Sequence, residues 1–329
     1  IRELQEAEDF ELLVVVGASA LLDRYGSDIN QIREDGIEIA STIHMIVEGG
    51  TPTTMAKSTG LCIIEAATVF NNLEPDYVVV VGDRFEILGV ATAAAYMNIP
   101  LIHTMGGEVT GSIDESVRHV VTKLAHIHFP ATELSARRIR LMGEPEENIH
   151  VVGCPRIDEV KRILDMDVQL DTRLLERGVG RKFDLSKPFF LVSFHPVTTE
   201  YGDGEEQVRT IINVVDKLKV NTIMLWPNVD AGSDDVARGI RGYREIKKLE
   251  RFHFFKSLPM EIFISLMDKC SCIVGNSSSA IRDGAFIGVP AVNVGSRQRG
   301  RERGRNVIDV GFSEDEIYAE KFCTKSCQT

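Results

Sequence analysis

Charged and polar residues recur where apolar runs end along this 329-residue chain, and they fall into two chemical sets. The first is acidic with basic neighbours. Asp83 and Arg84 follow the run 77–81, and Glu108, Asp114 and Glu115 come next, with His103, Arg118 and His119 close in sequence. A pair of carboxylates with His and Arg nearby suits proton transfer to and from carbon or a glycosidic oxygen. The second set suits an anion. His195 follows the run 189–194, Asn228 follows 222–226, and Gly275-Asn276-Ser277-Ser278-Ser279 precedes a helical stretch. Arg297, Arg299, Arg301, Arg303 and Arg305 then alternate along one loop. Backbone N–H groups at a helix N-terminus bind phosphate, and a guanidinium meets phosphate with a matched fork. Each feature has a plainer reading. Asp83, Asp114 and a serine of the 275–279 stretch are good helix caps. His195 reads equally as a structural hydrogen-bonder, and the arginine run as a solvated face. Spacing alone leaves these readings open.

Composition narrows the class. With 37 basic and 49 acidic residues the net charge is −12, which argues against general nucleic-acid affinity. No apolar run approaches the roughly 18 residues of a membrane span, so no membrane partner is expected. The six cysteines include Cys270-x-Cys272 and Cys323-x3-Cys327, but neither has the second half of a zinc pattern. Free thiols in a reducing cytoplasm are expected, and no metal. No GxGxxG follows a strand and the serine-rich turn lacks a P-loop lysine, so neither a nicotinamide nor any other cofactor is expected.

The elements that must position these residues alternate. Strands are predicted over 11–16, 37–39, 77–81, 99–103 and 126–129, the run 77–81 as a buried strand. Helices are predicted over 28–36, 57–72, 87–96, 116–125 and 133–142. The second half repeats this grammar, with strands over 189–194, 222–226, 272–274 and 291–294 and helices over 208–217, 260–267 and 281–286. Such alternation means an α/β fold with parallel sheets covered on both faces. A connection near 153–158 divides the chain into domains 1–155 and 156–329. Two sheets of this kind facing each other across a cleft would suit a bipartite ligand.

Taken in order, the motifs resemble a known family. They are Gly82-Asp83-Arg84-Phe85, Gly106-Gly107-Glu108-Val109, Ile113-Asp-Glu-Ser-Val-Arg-His119, Thr122-Lys-Leu-Ala-His126, His195-Pro-Val-Thr198, Asn228-Val-Asp-Ala-Gly-Ser233, Gly275-Asn-Ser-Ser278 and Arg297-Gln-x-Gly-Arg301. Together they resemble the hydrolysing UDP-N-acetylglucosamine 2-epimerases of sialic acid biosynthesis, from about residue 11 to about residue 312. Relatives acting on UDP-2,4-diacetamido sugars share most of them.

The resemblance implies a glycosyltransferase-B-like fold of two Rossmann-like domains facing across a cleft, and a UDP-sugar substrate. It implies UDP contacts from His195, Asn228, Ser277, Ser278 and Arg297, with Arg84 added from the first domain. Asp283 stands where relatives carry a ribose-binding Glu. Asp83 and Asp114 match the catalytic acids, with Glu108 beside them, and His103, Glu115, Arg118 and His119 would support the sugar side. The implied chemistry is C2 deprotonation with loss of UDP to a 2-acetamidoglucal, then hydration to N-acetylmannosamine. A homodimer or homotetramer in the cytoplasm is also implied.

Three other readings stay in view: a hydrolysing UDP-N,N'-diacetylbacillosamine 2-epimerase, a non-hydrolysing 2-epimerase, and a non-catalytic UDP-sugar binder. Relatives of the non-hydrolysing kind carry His-Arg-Glu-Asn where this chain has His195-Pro-Val-Thr198. Two departures from the pattern stand out. Met105 occupies a position where many relatives have Glu and some have His. The first strand and the C-terminal helices of relatives are expected to be missing.

Overall fold

The structure is a computed structural model that describes residues 1–22, 28–228, 230–246 and 250–319. Cys323 and Cys327 lie outside the described residues. The chain divides into two compact units: Ile1–Gly107 with Ser116–Gly153, and Glu108–Glu115 with Cys154–Thr329.

The first unit has two parallel sheets. β1 (Val14–Gly17) pairs with β2 (Ile39–Ile43), and β3 (Val78–Val81), β4 (Leu101–Thr104) and β5 (Ile127–Phe129) form a second sheet in that order. The helix Pro52–Leu73 starts five residues before its predicted position. Thr51 and Thr54 form a reciprocal capping box, and Pro52 supplies the fixed φ that favours a first helical residue. It packs on the alanine-rich helix Phe85–Tyr96, and Ala66, Val69, Ala91, Ala94, Val78 and Val80 share one core.

The prediction of a buried strand over 77–81 requires correction. β3 alternates. Val78 and Val80 face the core, while Val79 is 51% and Val81 58% exposed. A run of valines cannot say how many faces are covered. Among the described residues β3 is an edge strand, hydrogen-bonded to β4, and one of its faces is left open. Strand β2 also starts two residues later than the predicted 37–39 begins, and runs to Ile43.

The second unit holds one seven-stranded sheet. Its strands are β6 (Val179–Gly180), β7 (Phe189–Ser193), β8 (Asn221–Leu225), β9 (Phe252–Phe255), β10 (Cys272–Gly275), β11 (Ala291–Val294) and β12 (Val307–Val310). They lie in the order β12-β11-β10-β7-β8-β9-β6, all parallel except β6. Strands β6, β9 and β12 have no counterpart among the predicted elements. From β7 the chain winds outward through β8 to β9, then returns beside β7 and winds the other way through β10 to β12. This is the doubly wound Rossmann order. β7, β9, β10 and β11 are buried at every position, as strands covered on both faces must be. Along β7 the faces alternate. Phe190 and Val192 enter a core with the helices Gly204–Lys217 and Ser233–Ile246, whereas Phe189 and Leu191 enter one with the helix Met260–Lys269.

Candidate functional site

In a doubly wound sheet, ligands bind beyond the carboxyl ends of the strands where the winding reverses. In the second unit that point lies between β7 and β10, whose last paired residues are Ser193 and Gly275. Gly275 has φ +135°, and a Cβ there would come 2.1 Å from the Ser193 carbonyl oxygen, so only glycine lets the two strand ends run this close. The next residue, Asn276, is fully buried and bridges the reversal. Its Oδ1 accepts from the His195 backbone N–H at 2.7 Å, and its Nδ2 donates to the His195 carbonyl at 2.8 Å. Its own carbonyl accepts from Arg297 Nη1 at 3.2 Å and from Gln298 Nε2 at 2.9 Å. One side chain and one carbonyl therefore fix both the His195 turn and the arginine loop.

The His195 ring is oriented as well. Nδ1 accepts from the Asn228 backbone N–H at 3.2 Å, which leaves the proton of the neutral ring on Nε2. The Asn228 side chain donates to Asp230 Oδ2, and Asp230 Oδ2 lies 3.8 Å from Arg297 Nη2. Ser277 is buried and caps the short helix Ser278–Ile281, accepting from the Ser279 N–H at 3.3 Å, so its plainer reading as a cap holds. Ser278 is half-buried in the first helical position.

The arginine loop is not a uniformly solvated face. Arg299 and Arg305 are exposed, Arg303 pairs with Asp309, and the Arg301 side chain is only 8% exposed. Burial, then the charge of Arg282, lower the Arg301 guanidinium from its ordinary value, and Glu108 opposes them. Asp283 is buried and its Oδ2 accepts from Arg156 Nη2 at 3.1 Å and Nε at 3.3 Å.

Glu108, Asp114 and Glu115 fold with this second unit, although they follow β4 in sequence. Glu108 Oε2 accepts from Arg282 at 2.6 Å and Arg301 at 2.7 Å. Asp114 is not a cap: the helix Ile113–Leu124 has already begun, and Asp114 lies in its first turn. Its Oδ2 accepts from Ser112 Oγ at 2.9 Å and stands 4.0 Å from Arg297 Nη2. Glu115 Oε2 accepts from the Thr110 N–H at 2.8 Å.

In the first unit the structure joins Asp83, Arg118 and His103 around the turn after β3. The helix Phe85–Tyr96 begins without a side-chain cap, its N-cap position being Arg84, so the cap reading of Asp83 does not hold. Asp83 instead pairs with Arg118, whose side chain is only 1% exposed. His103, fully buried, donates from Nε2 to the Gly82 carbonyl at 2.9 Å, and its Nδ1 faces Thr122 Oγ1 at 3.2 Å. Burial, then the charges of His128 and His119, hold the ring down to about 4 against the opposing Gly82 hydrogen bond. It is thus a neutral prop under the turn. His119 is half-buried on the same helix as Arg118. Arg84 donates from Nε to Glu86 Oε1 at 2.7 Å. Met105 is buried with φ +63°, an unusual backbone for a side chain of that size.

Asn276, Asp230, Arg282, Arg301 and Gln298 are the participants that sequence reasoning missed as site residues. All but Arg282 lie inside the motifs given above, Asn276 in Gly275–Ser278, Asp230 in Asn228–Ser233, and Gln298 and Arg301 in Arg297–Arg301, and that was the available signal for them. Among the described residues no group of three His, Cys, Asp or Glu side chains is placed to hold a metal ion, and no helix is long and apolar enough to cross a membrane. A cavity of about 590 Å³ beside β2, lined in part by Arg33, Glu38 and Ser41, contains none of the predicted residues.

Residues 2–327 match the sequence profile of the family described as UDP-N-acetylglucosamine 2-epimerase. A UDP-N,N'-diacetylbacillosamine 2-epimerase (hydrolyzing) from Legionella pneumophila subsp. pneumophila is 36% identical over 318 residues, spanning 96% of this chain and 82% of the relative. A GDP/UDP-N,N'-diacetylbacillosamine 2-epimerase (hydrolyzing) from Campylobacter jejuni is 30% identical over 325 residues, spanning 98% and 83%. The crystal structure of UDP-GlcNAc 2-epimerase from Neisseria meningitidis bound to UDP-GlcNAc aligns with a TM-score of 0.79 at 18% identity, covering 98% of this chain and 85% of that one. At that identity the likeness establishes the fold: α/β, glycosyltransferase-B-like, with two Rossmann-like units.

Proposed function

The chain belongs to the UDP-N-acetylglucosamine 2-epimerase family, and from that membership we propose that it is a hydrolysing 2-epimerase of a UDP-2-acetamido sugar. The observation that carries the reading is the set of groups at the β7/β10 reversal. His195, Asn228, Ser277, Ser278 and Arg297 end or follow strands there, and Asn276 ties the His195 and Arg297 segments together. That arrangement suits a nucleoside diphosphate, whose departing charge needs fixed donors. The hydrolysing activity named for the Legionella and Campylobacter relatives supports loss of UDP to water.

The chemistry assigned to the chain runs in two steps. A carboxylate takes the proton from C2 of the sugar, the C1–O bond to the diphosphate breaks, and a C1=C2 double bond forms as UDP leaves. Water then adds to C1 and a proton returns to C2 on the opposite face, giving the free 2-epimerised sugar. Asp83 and Asp114 are the proposed proton carriers. Met105 has a thioether, which carries no exchangeable proton, so it takes no part in the transfer. Arg84 and Asp283 are proposed as further contacts to the nucleotide.

UDP-N,N'-diacetylbacillosamine is supported as substrate by the names of those two relatives, and UDP-N-acetylglucosamine by the family description. Incubation with each, followed by NMR, is expected to show free UDP together with a free sugar inverted at C2. Absence of UDP release from both would end the proposal. A product that keeps its UDP would end its hydrolytic half.

A further inference from the structure

Glu108 opens the loop that leads into Asp114, and its carboxylate is already engaged. Arg282 and Arg301 both donate to the same oxygen, Oε2, at 2.6 and 2.7 Å. Glu108 is 9% exposed and the Arg301 side chain 8%, so the pair with Arg301 is shielded from water. Arg301 Nη1 continues to Gln298 Oε1 at 2.8 Å, and Gln298 Nε2 to the Asn276 carbonyl at 2.9 Å. Arg282 closes the short helix that follows Ser277. Both guanidiniums thus root Glu108 in the segments that carry Arg297, Asn276 and Ser278.

Asp114 at the far end of the loop stands 4.0 Å from Arg297 Nη2, and between the two carboxylates the loop is tied by neutral hydrogen bonds. The Gly111 N–H donates to the Arg297 carbonyl at 2.9 Å, the Ile113 N–H donates to Thr198 Oγ1 at 3.3 Å, and Thr199 Oγ1 donates to the Gly111 carbonyl at 3.3 Å. Two charge-assisted hydrogen bonds on one oxygen make a strong, directional hold, which suits a fixed anchor.

We propose that Glu108, Arg282 and Arg301 form a latch, in which Glu108 is a positioning residue that holds the 109–114 loop, and so the Asp114 carboxylate, in register with the nucleotide-side segments. The kinetic half of this inference rests on the reading of the chain as a hydrolysing 2-epimerase; the structural half does not. Arg282 and Arg301 would then matter as much as Glu108 does, which no proton-carrier role requires.

The test uses the full chain and the variants Glu108→Gln, Arg301→Met, Arg301→Lys and the Glu108→Gln/Arg301→Met double. Hydrogen exchange read at the Gly111 and Ile113 amides is expected to quicken about tenfold in each single variant, without further gain in the double. Arg301→Lys keeps the charge and loses the two-point fork, so it should follow the same direction even where Arg301→Met folds poorly. Wild-type protection at both amides in Glu108→Gln and Arg301→Lys would overturn the latch. In turnover, Glu108→Gln and Arg301→Met are each expected to lower kcat by roughly 10- to 100-fold, the scale of a misplaced group. Both limbs of the pH profile should persist, with Kd for UDP within about threefold of wild type. If Glu108→Gln erases a limb of that profile while Arg301→Met keeps full kcat, Glu108 is a proton carrier and the proposal fails. Should the wild type release no UDP from any UDP-acetamido sugar, the assigned activity fails, and the exchange measurement still decides the latch.

Discussion

The two units secure their strand-end residues by opposite means. In the first, Asp83 pairs with the buried cation Arg118, while a neutral His103 props the turn from below. In the second, the polar groups are shared out over a mesh: Asn276 bonds twice to the His195 backbone and receives Arg297 and Gln298, and Glu108 takes two guanidiniums. The sheets differ in the same sense. β7 and β10 are enclosed on both faces, and β3 on one. Breaking an ion pair to a buried guanidinium is costly, because the cation stays in a poorly solvated place. A mesh spreads the loss of one bond over several partners.

Breaking the comparison at its sharpest point means Asp83→Asn. It should lower UDP release by roughly 10³-fold, the scale of a removed proton carrier, with Kd for UDP within about threefold of wild type. Equal losses in turnover and UDP affinity would show that Asp83 serves nucleotide binding rather than proton transfer. Arg118→Met comes next. It strands Asp83 beside a buried apolar side chain, and urea denaturation should show about 3 kcal/mol less stability. Asn276→Ala tests the mesh. It removes both partners of the His195 backbone groups, and calorimetry is expected to give a UDP affinity weaker by about 2 kcal/mol, or roughly 30-fold.

The smallest effect is the pH response of the prop. Folded His103 stays neutral down to about pH 4, against an ordinary value of 6.5. The unfolded chain therefore binds a proton that the folded one refuses. This contribution to stability is intact above 6.5 and is lost as the pH falls toward 4. Thermal melts should register a loss of about 1 kcal/mol between about pH 7.5 and about pH 5.5, and His103→Gln should flatten that slope. His128 and His253 are lowered by burial in the same direction and will add to the wild-type slope.

Much of this was legible from residue order. Apolar runs ending in Gly-Asp-Arg, His-Pro or Gly-Asn-Ser mark strand ends, and the structure puts β3, β7 and β10 directly before them. Three things were not legible, for physical reasons. A valine run reports apolar character and not coverage, so the open face of β3 was invisible. The sequence places Glu108 174 positions from Arg282 and 193 from Arg301, and no local pattern links charges across such distances. Loop 108–115 reads as part of the half in which it starts, because assigning it to the other unit takes contacts that only folding supplies. Asn276 was seen only as a letter between a glycine and a serine. Its weight comes from carrying a donor and an acceptor on one short side chain at a point where two buried backbone groups face it.

Gly111 offers a last consequence. Its backbone bonds to Arg297 and Thr199, and a single methyl group added at its Cα would stand 1.9 Å from the Ser296 carbonyl oxygen. In a saturation library scored for UDP release, this should be a column with one surviving letter, set in a stretch where neighbouring exposed positions accept many. Such a column would look catalytic to anyone ranking positions by intolerance, yet it has no side chain with which to do chemistry.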